Sequence, residues 1–104
     1  MAGFPDELVQ CTGFQWDEGN AAKNWTLHQV TQAEAEQAFF NRPVMVASAL
    51  RHSVEEPRYA ALGQTDAGRL LAIVFTLRDT LVRVISDGDM SRPERRTYEQ
   101  AQAN

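Results

Sequence analysis

Three residues that can move protons or bind phosphate stand in one short stretch of the chain, His52, Glu56 and Arg58. On a strand, Glu56 and Arg58 would project to the same face because side chains alternate, with His52 in the loop before them. Metal-free cleavage of RNA needs such a set: a base for the 2′-hydroxyl, cations for the phosphorane and an acid for the leaving oxygen. The same spacing is also typical of an exposed ion pair worth under about 1 kcal/mol beside a solvated histidine.

Other cations have a structural explanation beside the functional one. Arg83 stands in an apolar run, where its guanidinium must reach solvent, a carboxylate or a ligand phosphate, because a buried unpaired charge is strongly destabilising. Arg95 and Arg96 form a pair that is usually part of a solvated helix face. His28 ends a predicted helix, where the helix dipole stabilises a histidine.

The elements that must position these residues centre on the stretch from Arg69 to Ser86, in which two apolar runs flank Arg78 and Asp79. This pattern predicts an antiparallel hairpin with its turn at that polar pair. Both faces of the first run are apolar, so it should be a central strand. Arg83 then lies on the face opposite the core, near Val74. The expected cross-strand pairs are Phe75 with Val82 and Ile73 with Val84.

Two helices are predicted before the hairpin. Asp17 is a good N-cap ahead of apolar residues at helical spacing, which predicts a helix from Glu18 to His28. Thr31 and Glu34 have the form of a capping box, so a second helix follows and ends before Pro43. Its buried residues should be Ala35, Ala38 and Phe39.

Two strands and a third helix complete the pattern. The strands are predicted from Val44 to Leu50 and from Arg58 to Thr65. Ser91 begins a second capping box, at the start of a helix from Glu94 to about Gln102. Tyr98 is its single large apolar residue, so this helix should lie on the surface or against a partner.

These elements predict an α+β fold with a small antiparallel sheet of about four strands, flanked by two N-terminal helices and one C-terminal helix. A chain of 104 residues fits one domain. We expect a flexible N-terminal segment over residues 1–13 and a single domain over residues 14–104.

Composition limits the function classes. The net charge of −4 argues against a broadly basic nucleic-acid-binding surface, yet residues 1–57 carry −5 and residues 58–104 carry +1. Seven arginines lie in the second half, and arginine matches phosphate bidentately. The lone Cys11, the absence of a signal-peptide pattern and the absence of a long apolar run predict a cytoplasmic protein that does not enter a membrane.

Several catalytic motifs are missing from the sequence. It has no glycine-rich phosphate loop, no paired cysteines for zinc and no helical histidine pair around a glutamate. Its serines stand in no nucleophile elbow. We therefore expect neither a metal nor a cofactor.

The order of several short motifs resembles the BrnT family, the toxins of bacterial type II toxin-antitoxin pairs. The resemblance covers roughly residues 14–99, and the joint order of the pieces is more specific than any one of them. The pieces are Phe14-Gln15-Trp16-Asp17, Lys23-Asn24, Leu27-His28, His52-Ser53, Glu56-x-Arg58, Leu62-Gly63, Gly68-Arg69-Leu70-Leu71, Val74-Phe75-Thr76-x-Arg78, Arg83-x-Ile85-Ser86 and Glu94-Arg95-Arg96-x-Tyr98.

That resemblance implies a RelE-like α+β fold, a metal-independent endoribonuclease that inhibits translation, and a BrnA-like antitoxin that masks it. Operator DNA would be bound only through the antitoxin. The implied catalytic residues are His52, Glu56, Arg58 and Arg83, with Glu56 or His52 as base or acid and the arginines as phosphate clamps. The implied RNA-binding residues are Arg69, Arg78, Arg95, Arg96 and His28.

The chain departs from the family pattern after its last strand. BrnT-like chains read Ile-Ser-Ala-Arg there, whereas this chain reads Ile85-Ser86-Asp87-Gly88. A cation lost beside a phosphate site lowers the rate by roughly a hundredfold or more. A second hypothesis is therefore a catalytically weakened protein of this fold that acts as an antitoxin-binding or co-repressor partner. A third is an unrelated α+β interaction module.

Overall fold

The computed structural model describes residues 11–48 and 57–103. The strands are β1 (Gly13–Phe14), β2 (Met45–Ser48), β3 (Arg58–Gln64), β4 (Leu70–Arg78) and β5 (Leu81–Asp89), and the helices are α1 (Glu18–His28), α2 (Gln32–Phe40) and α3 (Arg92–Ala103). Within these ranges the strands form one sheet in the order β1-β5-β4-β3-β2, with β1 parallel to β5 and the other pairs antiparallel. The predicted α+β class is confirmed, with five strands in place of about four because the short β1 joins the sheet edge.

Pairing with the sheet begins before residue 14, the predicted start of the domain. Gly13 pairs with Leu81 in β5, and the Thr12 amide donates to the Thr80 carbonyl at 2.8 Å. Residues 1–10 of the predicted N-terminal segment lie outside the described residues.

The turn of the central hairpin lies one residue later than predicted. It consists of Asp79 and Thr80, and Asp79 has a φ of 56°. Aspartate tolerates this left-handed conformation better than most residues, which favours the turn here. Phe75 consequently pairs with Val84 rather than with Val82. The shift of two residues keeps the start of β5 on its predicted faces, because side chains alternate with a period of two.

A β-bulge at Ile85 changes the faces of the residues that follow it. The sequence predicted that Ile73 lies opposite Val84. In the structure Ile73 lies opposite Asp87 instead. Asp87 is brought onto the buried face of the sheet and is only 2% exposed. Without the bulge, strict alternation would have placed the Asp87 carboxylate on the other face of the sheet.

The core lies between α2 and one face of the sheet. Ala35, Ala38 and Phe39 are buried, as predicted, and the Phe39 ring packs edge-on against Phe75 with centroids 5.1 Å apart. Gly63 permits this close packing, since a Cβ there would lie 2.3 Å from the Ala38 carbonyl oxygen. A glycine at this position lets helix and sheet backbones approach each other.

Helix α1 covers the edge of β5 beyond β1 with two buried asparagines. The Asn20 side-chain amide donates to the Val84 carbonyl at 3.1 Å, and the Asn24 side-chain oxygen accepts from the Asp87 amide at 3.1 Å. Both contacts satisfy backbone groups that an open edge strand would expose. The limits of α1 and the Asp17 N-cap agree with the sequence prediction.

Helix α3 begins with the predicted capping box. The Ser91 amide donates to the Glu94 carboxylate at 2.8 Å, and the Glu94 amide donates to the Ser91 hydroxyl at 3.3 Å. The helix docks on its own chain through Tyr98, which is fully buried and donates its hydroxyl hydrogen to the Pro43 carbonyl at 2.6 Å. Its arginines remain exposed.

Candidate functional site

Two of the predicted catalytic residues lie in one row across the sheet. Arg58 on β3 pairs with Thr76 on β4, and Thr76 pairs with Arg83 on β5. Paired residues on adjacent strands point to the same face, so the two arginines flank the threonine. Their backbones are two strand spacings apart, about 10 Å, and side chains as long as arginine can converge on one group from that separation.

This row forms part of a cavity of about 740 Å³ on the face of the sheet away from the core. We call it the cationic cleft and define it by Lys23, Arg58, Thr76, Arg78 and Arg83, which all line it. The carboxylates that line it are those of Asp17 and Glu18, at the start of α1. Among the described lining residues, cations outnumber acids by four to two, although the chain as a whole is acidic.

The arrangement suits a phosphodiester better than a neutral ligand. Guanidinium groups donate hydrogen bonds in a planar fork that matches two phosphate oxygens, and they keep their charge at physiological pH. Charged donors fixed before the substrate arrives stabilise negative charge that develops in a transition state. Cationic side chains of this kind are the usual ligands of phosphate groups in proteins.

Arg83 is held by contacts from the segment before α1. One terminal nitrogen lies 2.9 Å from Asp17 Oδ2, and the other donates to Gln15 Oε1 at 3.2 Å. The pKa of Asp17 is lowered, first by the backbone N–H of Asn20 and then by Arg83. The Asp17 carboxylate is therefore ionised at neutral pH and paired with the guanidinium.

Thr76 and Lys23 belong to the cleft, although sequence reasoning gave them no site role. Thr76 is buried, and its hydroxyl donates to the Pro57 carbonyl at 2.6 Å, which fixes the chain just before Arg58. Thr76 pairs with Arg83 and therefore shares its face of the sheet, opposite the core. Lys23 reaches the cleft from α1, and no local sequence signal joins it to the sheet.

Arg69, a predicted RNA-binding residue, lies at the opposite end of β4 in an ionic network. Its guanidinium contacts Asp89 at 2.8 Å and Glu34 at 3.3 Å, and it donates to the His28 and Gln29 carbonyls at 3.0 and 2.9 Å. Arg69 lowers the pKa of Asp89, whereas the pKa of Glu34 is lowered first by the Thr31 backbone N–H. The network joins the end of α1 to the start of α2.

The remaining predicted residues are not gathered at the cleft. His28 lies beside Gly88, where an added Cβ would meet its Nδ1 at 3.0 Å, and both line a separate cavity of about 270 Å³. Arg95 and Arg96 are exposed on α3. His52 and Glu56 lie outside the described residues.

The described part of the chain offers no cluster of three His, Cys, Asp or Glu side chains that could hold a metal ion. Arginine-rich sites do not supply metal ligands, since a protonated guanidinium has no acceptor. The described residues that line the cleft offer four cationic side chains to a ligand, beside the carboxylates of Asp17 and Glu18.

Comparison with known proteins identifies the family. The family model described as ribonuclease toxin, BrnT, of type II toxin-antitoxin system matches residues 16–94. The chain belongs to the BrnT family. The predicted resemblance is thereby confirmed, and membership makes the chain a ribonuclease toxin of the type II class.

A solved BrnT structure supports the fold. The crystal structure of the Brucella abortus ribonuclease toxin BrnT, at 1.1 Å resolution, superposes with a TM-score of 0.56. The sequences are 20% identical, and the match covers 77% of this chain and 97% of the Brucella chain. No curated protein sequence matches this chain.

Membership of the BrnT family implies an RNA target and a cognate antitoxin. None of the helices in the described ranges is both long and apolar enough to cross a membrane.

Proposed function

We propose that this BrnT protein cleaves RNA without a metal ion and that the cationic cleft is where cleavage occurs. The observation that carries the proposal is the row of Arg58, Thr76 and Arg83 across three strands, with Lys23 and Arg78 lining the same cavity. Four cations facing one cavity on an acidic chain are best explained by a polyanionic substrate.

The proposed reaction is attack of a ribose 2′-hydroxyl on the adjacent phosphorus. A base removes the hydroxyl proton, the bond to the 5′-oxygen breaks, and an acid returns a proton to that oxygen. Arg58 and Arg83 bind the nonbridging oxygens and stabilise the phosphorane. His52 and Glu56 precede Arg58 by six and two residues, and we assign them as the acid and base pair.

The cleft also suggests how the toxin is restrained. We propose that a BrnA-like antitoxin covers this face, so that acidic groups of the antitoxin replace the phosphates of RNA. The unmasked protein would inhibit translation in the cytoplasm, and the complex would reach operator DNA through the antitoxin. Release of a small DNA-binding protein encoded beside this gene should then restore cleavage to the purified complex.

Cleavage of a mixed RNA in EDTA tests the main proposal. We expect the wild-type chain to cut, and Arg83→Ala and Arg58→Ala to cut at least tenfold more slowly, which corresponds to about 1.4 kcal/mol of barrier. Arg92→Ala is the matched control, because Arg92 is exposed on α3 and does not line the cleft. Equal rates for all four proteins, each shown to be folded, would rule out the cleft as the cleavage site.

The alternative, a weakened toxin that acts as a binding partner, depends on the departure from the family pattern at Gly88. The BrnT-like pattern that this sequence resembles implies an arginine at position 88, whereas in this structure the His28 ring occupies the space above Gly88. Gly88 is five positions beyond Arg83 on β5, about 17 Å along an extended strand, so the missing cation lies outside the cleft and its loss leaves the four cleft cations in place. A folded chain that binds its antitoxin but leaves RNA intact in EDTA would establish this second function.

A further inference from the structure

The segment from Gln15 to Asp17 is joined to β5 on both sides of Arg83. The Gln15 amide donates to the Val82 carbonyl at 2.8 Å. The Asn20 side chain donates to the Gln15 carbonyl at 3.3 Å and to the Val84 carbonyl at 3.1 Å. The backbone that carries Arg83 and the segment that contacts its side chain are therefore held together.

The Asp17 carboxylate uses its two oxygens for different purposes. Oδ1 accepts from the Asn20 amide at 2.9 Å and so caps α1, while Oδ2 lies 2.9 Å from the Arg83 guanidinium. The Asn20 side chain returns the capping contact by accepting from the Asp17 amide at 2.8 Å. A carboxylate fixed by the helix end in this way offers Arg83 an acceptor in a defined place.

We propose that Asp17 is a positioning residue for Arg83, assisted by Gln15, and that it sets the angle at which this arginine meets the scissile phosphate. The inference rests on the proposed function of the cationic cleft. A guanidinium has five donors, and the contacts with Asp17 and Gln15 use two of them, which is compatible with a simultaneous phosphate contact.

The gain comes from preorganisation. An arginine that is already fixed loses less side-chain freedom when it binds a phosphate, and its charge needs no reorientation in the transition state. Asp17 also brings a negative charge to the cleft, but its side chain is 53% exposed, so water and salt weaken its repulsion of the substrate. The hydrogen-bond geometry is not weakened in the same way, and it should dominate the effect on rate.

Asp17→Ser tests the role of the carboxylate separately from the helix cap. Serine is a good N-cap, but its side chain is too short to reach Arg83 as well. We expect kcat for RNA cleavage in EDTA to fall about tenfold with little change in KM, because the contact acts on the transition state. Thr31→Ala is the control: it removes the cap of α2 and leaves Arg83 untouched.

Two further measurements separate positioning from a general loss of structure. In the Arg83→Ala background, Asp17→Ser should have no further effect on kcat, because the two residues act as one unit. The NMR relaxation of the Arg83 Nε–H should report a rigid side chain in the wild-type protein and a mobile one in Asp17→Ser. The relaxation measurement does not depend on cleavage.

The outcomes distinguish the two proposals. A folded wild-type chain that does not cut RNA refutes the proposed function, and the catalytic part of this inference with it. A wild-type chain that cuts while Asp17→Ser cuts equally fast overturns the positioning role alone. An Arg83 side chain that is equally rigid in both proteins also overturns it, whatever the cleavage rate.

Discussion

The buried carboxylate of Asp87 should make the protein less stable as the pH rises. Asp87 is 2% exposed, and within the described part of the chain neither carboxylate oxygen has a hydrogen-bond partner. Burial raises the pKa of Asp87 to about 7 from an ordinary value of 3.8, while Arg69 opposes the shift and Glu34 adds to it. The folded protein therefore holds a proton on Asp87 at a pH where the unfolded chain has lost it.

The sign and size of the effect follow from this difference in bound protons. Between pH 3.8 and about 7 the folded state binds more protons than the unfolded state, so the free energy of unfolding falls as the pH rises. At about 1.4 kcal/mol per pH unit, the whole interval corresponds to about 4 kcal/mol. This is a large part of the roughly 5–15 kcal/mol that stabilises a typical domain.

Other carboxylates oppose this trend only at lower pH. The pKa values of Asp17, Glu34 and Asp89 are lowered in the folded state, so their contributions are lost as the pH falls below their unfolded values. The wild-type stability should therefore be greatest at about pH 5 and decline until the pH passes the folded pKa of Asp87, about 7.

Asp87→Ala should remove the decline. We expect the variant to match the wild type within about 1 kcal/mol at pH 4.5 and to exceed it by about 2–4 kcal/mol at pH 8, because it no longer buries a charge. Asp87→Asn keeps a buried polar group without a partner, but that group does not titrate. The free energy of unfolding of Asp87→Asn should therefore not change between pH 4.5 and pH 8, and it should be lower than that of Asp87→Ala. Glu99→Ala, on the exposed face of α3, is the control and should follow the wild-type profile.

Urea unfolding at half-unit steps from pH 4.5 to pH 8 measures these profiles, with the slope m checked for constancy. Parallel curves for the wild type and Asp87→Ala, or an Asp87→Ala variant that is the less stable protein at pH 8, would refute the reasoning. The first result would mean that Asp87 is ionised at low cost in the folded state.

Two further predictions concern the packing that positions the cleft. Gly63→Ala should destabilise the fold by about 2 kcal/mol or more, since its Cβ would lie 2.3 Å from the Ala38 carbonyl oxygen; thermal unfolding should show the loss, and an unchanged Tm would contradict it. Asn24→Ala should lower stability by about 1–3 kcal/mol, because the buried amide of Asp87 loses its acceptor. Faster hydrogen exchange of the Asp87 amide in Asn24→Ala would show that the lost acceptor causes the destabilisation, and unchanged exchange would show that it does not.

Much of the fold could be predicted because its signals are local. The limits of α1, the capping box of Thr31 with Glu34 and the burial of Phe39 all depend on residues within a few positions of one another. A helix start is specified by side chains that bond to backbone groups three residues away. These features agree with the sequence predictions.

The register of the central hairpin was predicted wrongly for a physical reason. Side chains alternate with a period of two, so hydrophobic alternation cannot distinguish pairings that differ by two residues. The choice was made by Asp79, which accepts a positive φ, and by the bulge at Ile85. The bulge had no sequence signal, and its consequence is the buried Asp87.

The candidate site shows a similar division. The residue types of Arg58 and Arg83 and the strand face of Arg83 could be predicted, and the sheet brings the two arginines into one row. Arg69 has the same chemistry, but the fold places it at the far end of β4, where it pairs with Glu34 and Asp89. Its role in RNA binding stays a prediction, as do those of His52 and Glu56.

The sequence by itself determined the family, the α+β class and the presence of seven arginines in its second half. These features could be predicted because motif order, helix capping and strand alternation depend on residues that are close together in the chain. Only the tertiary structure decided which cations share a cavity. Strand register and the packing of α1 on β5 bring Lys23, Thr76 and Asp17 to Arg83 from distant parts of the chain. Such contacts depend on backbone geometry summed over the whole sheet, and no local pattern specifies them.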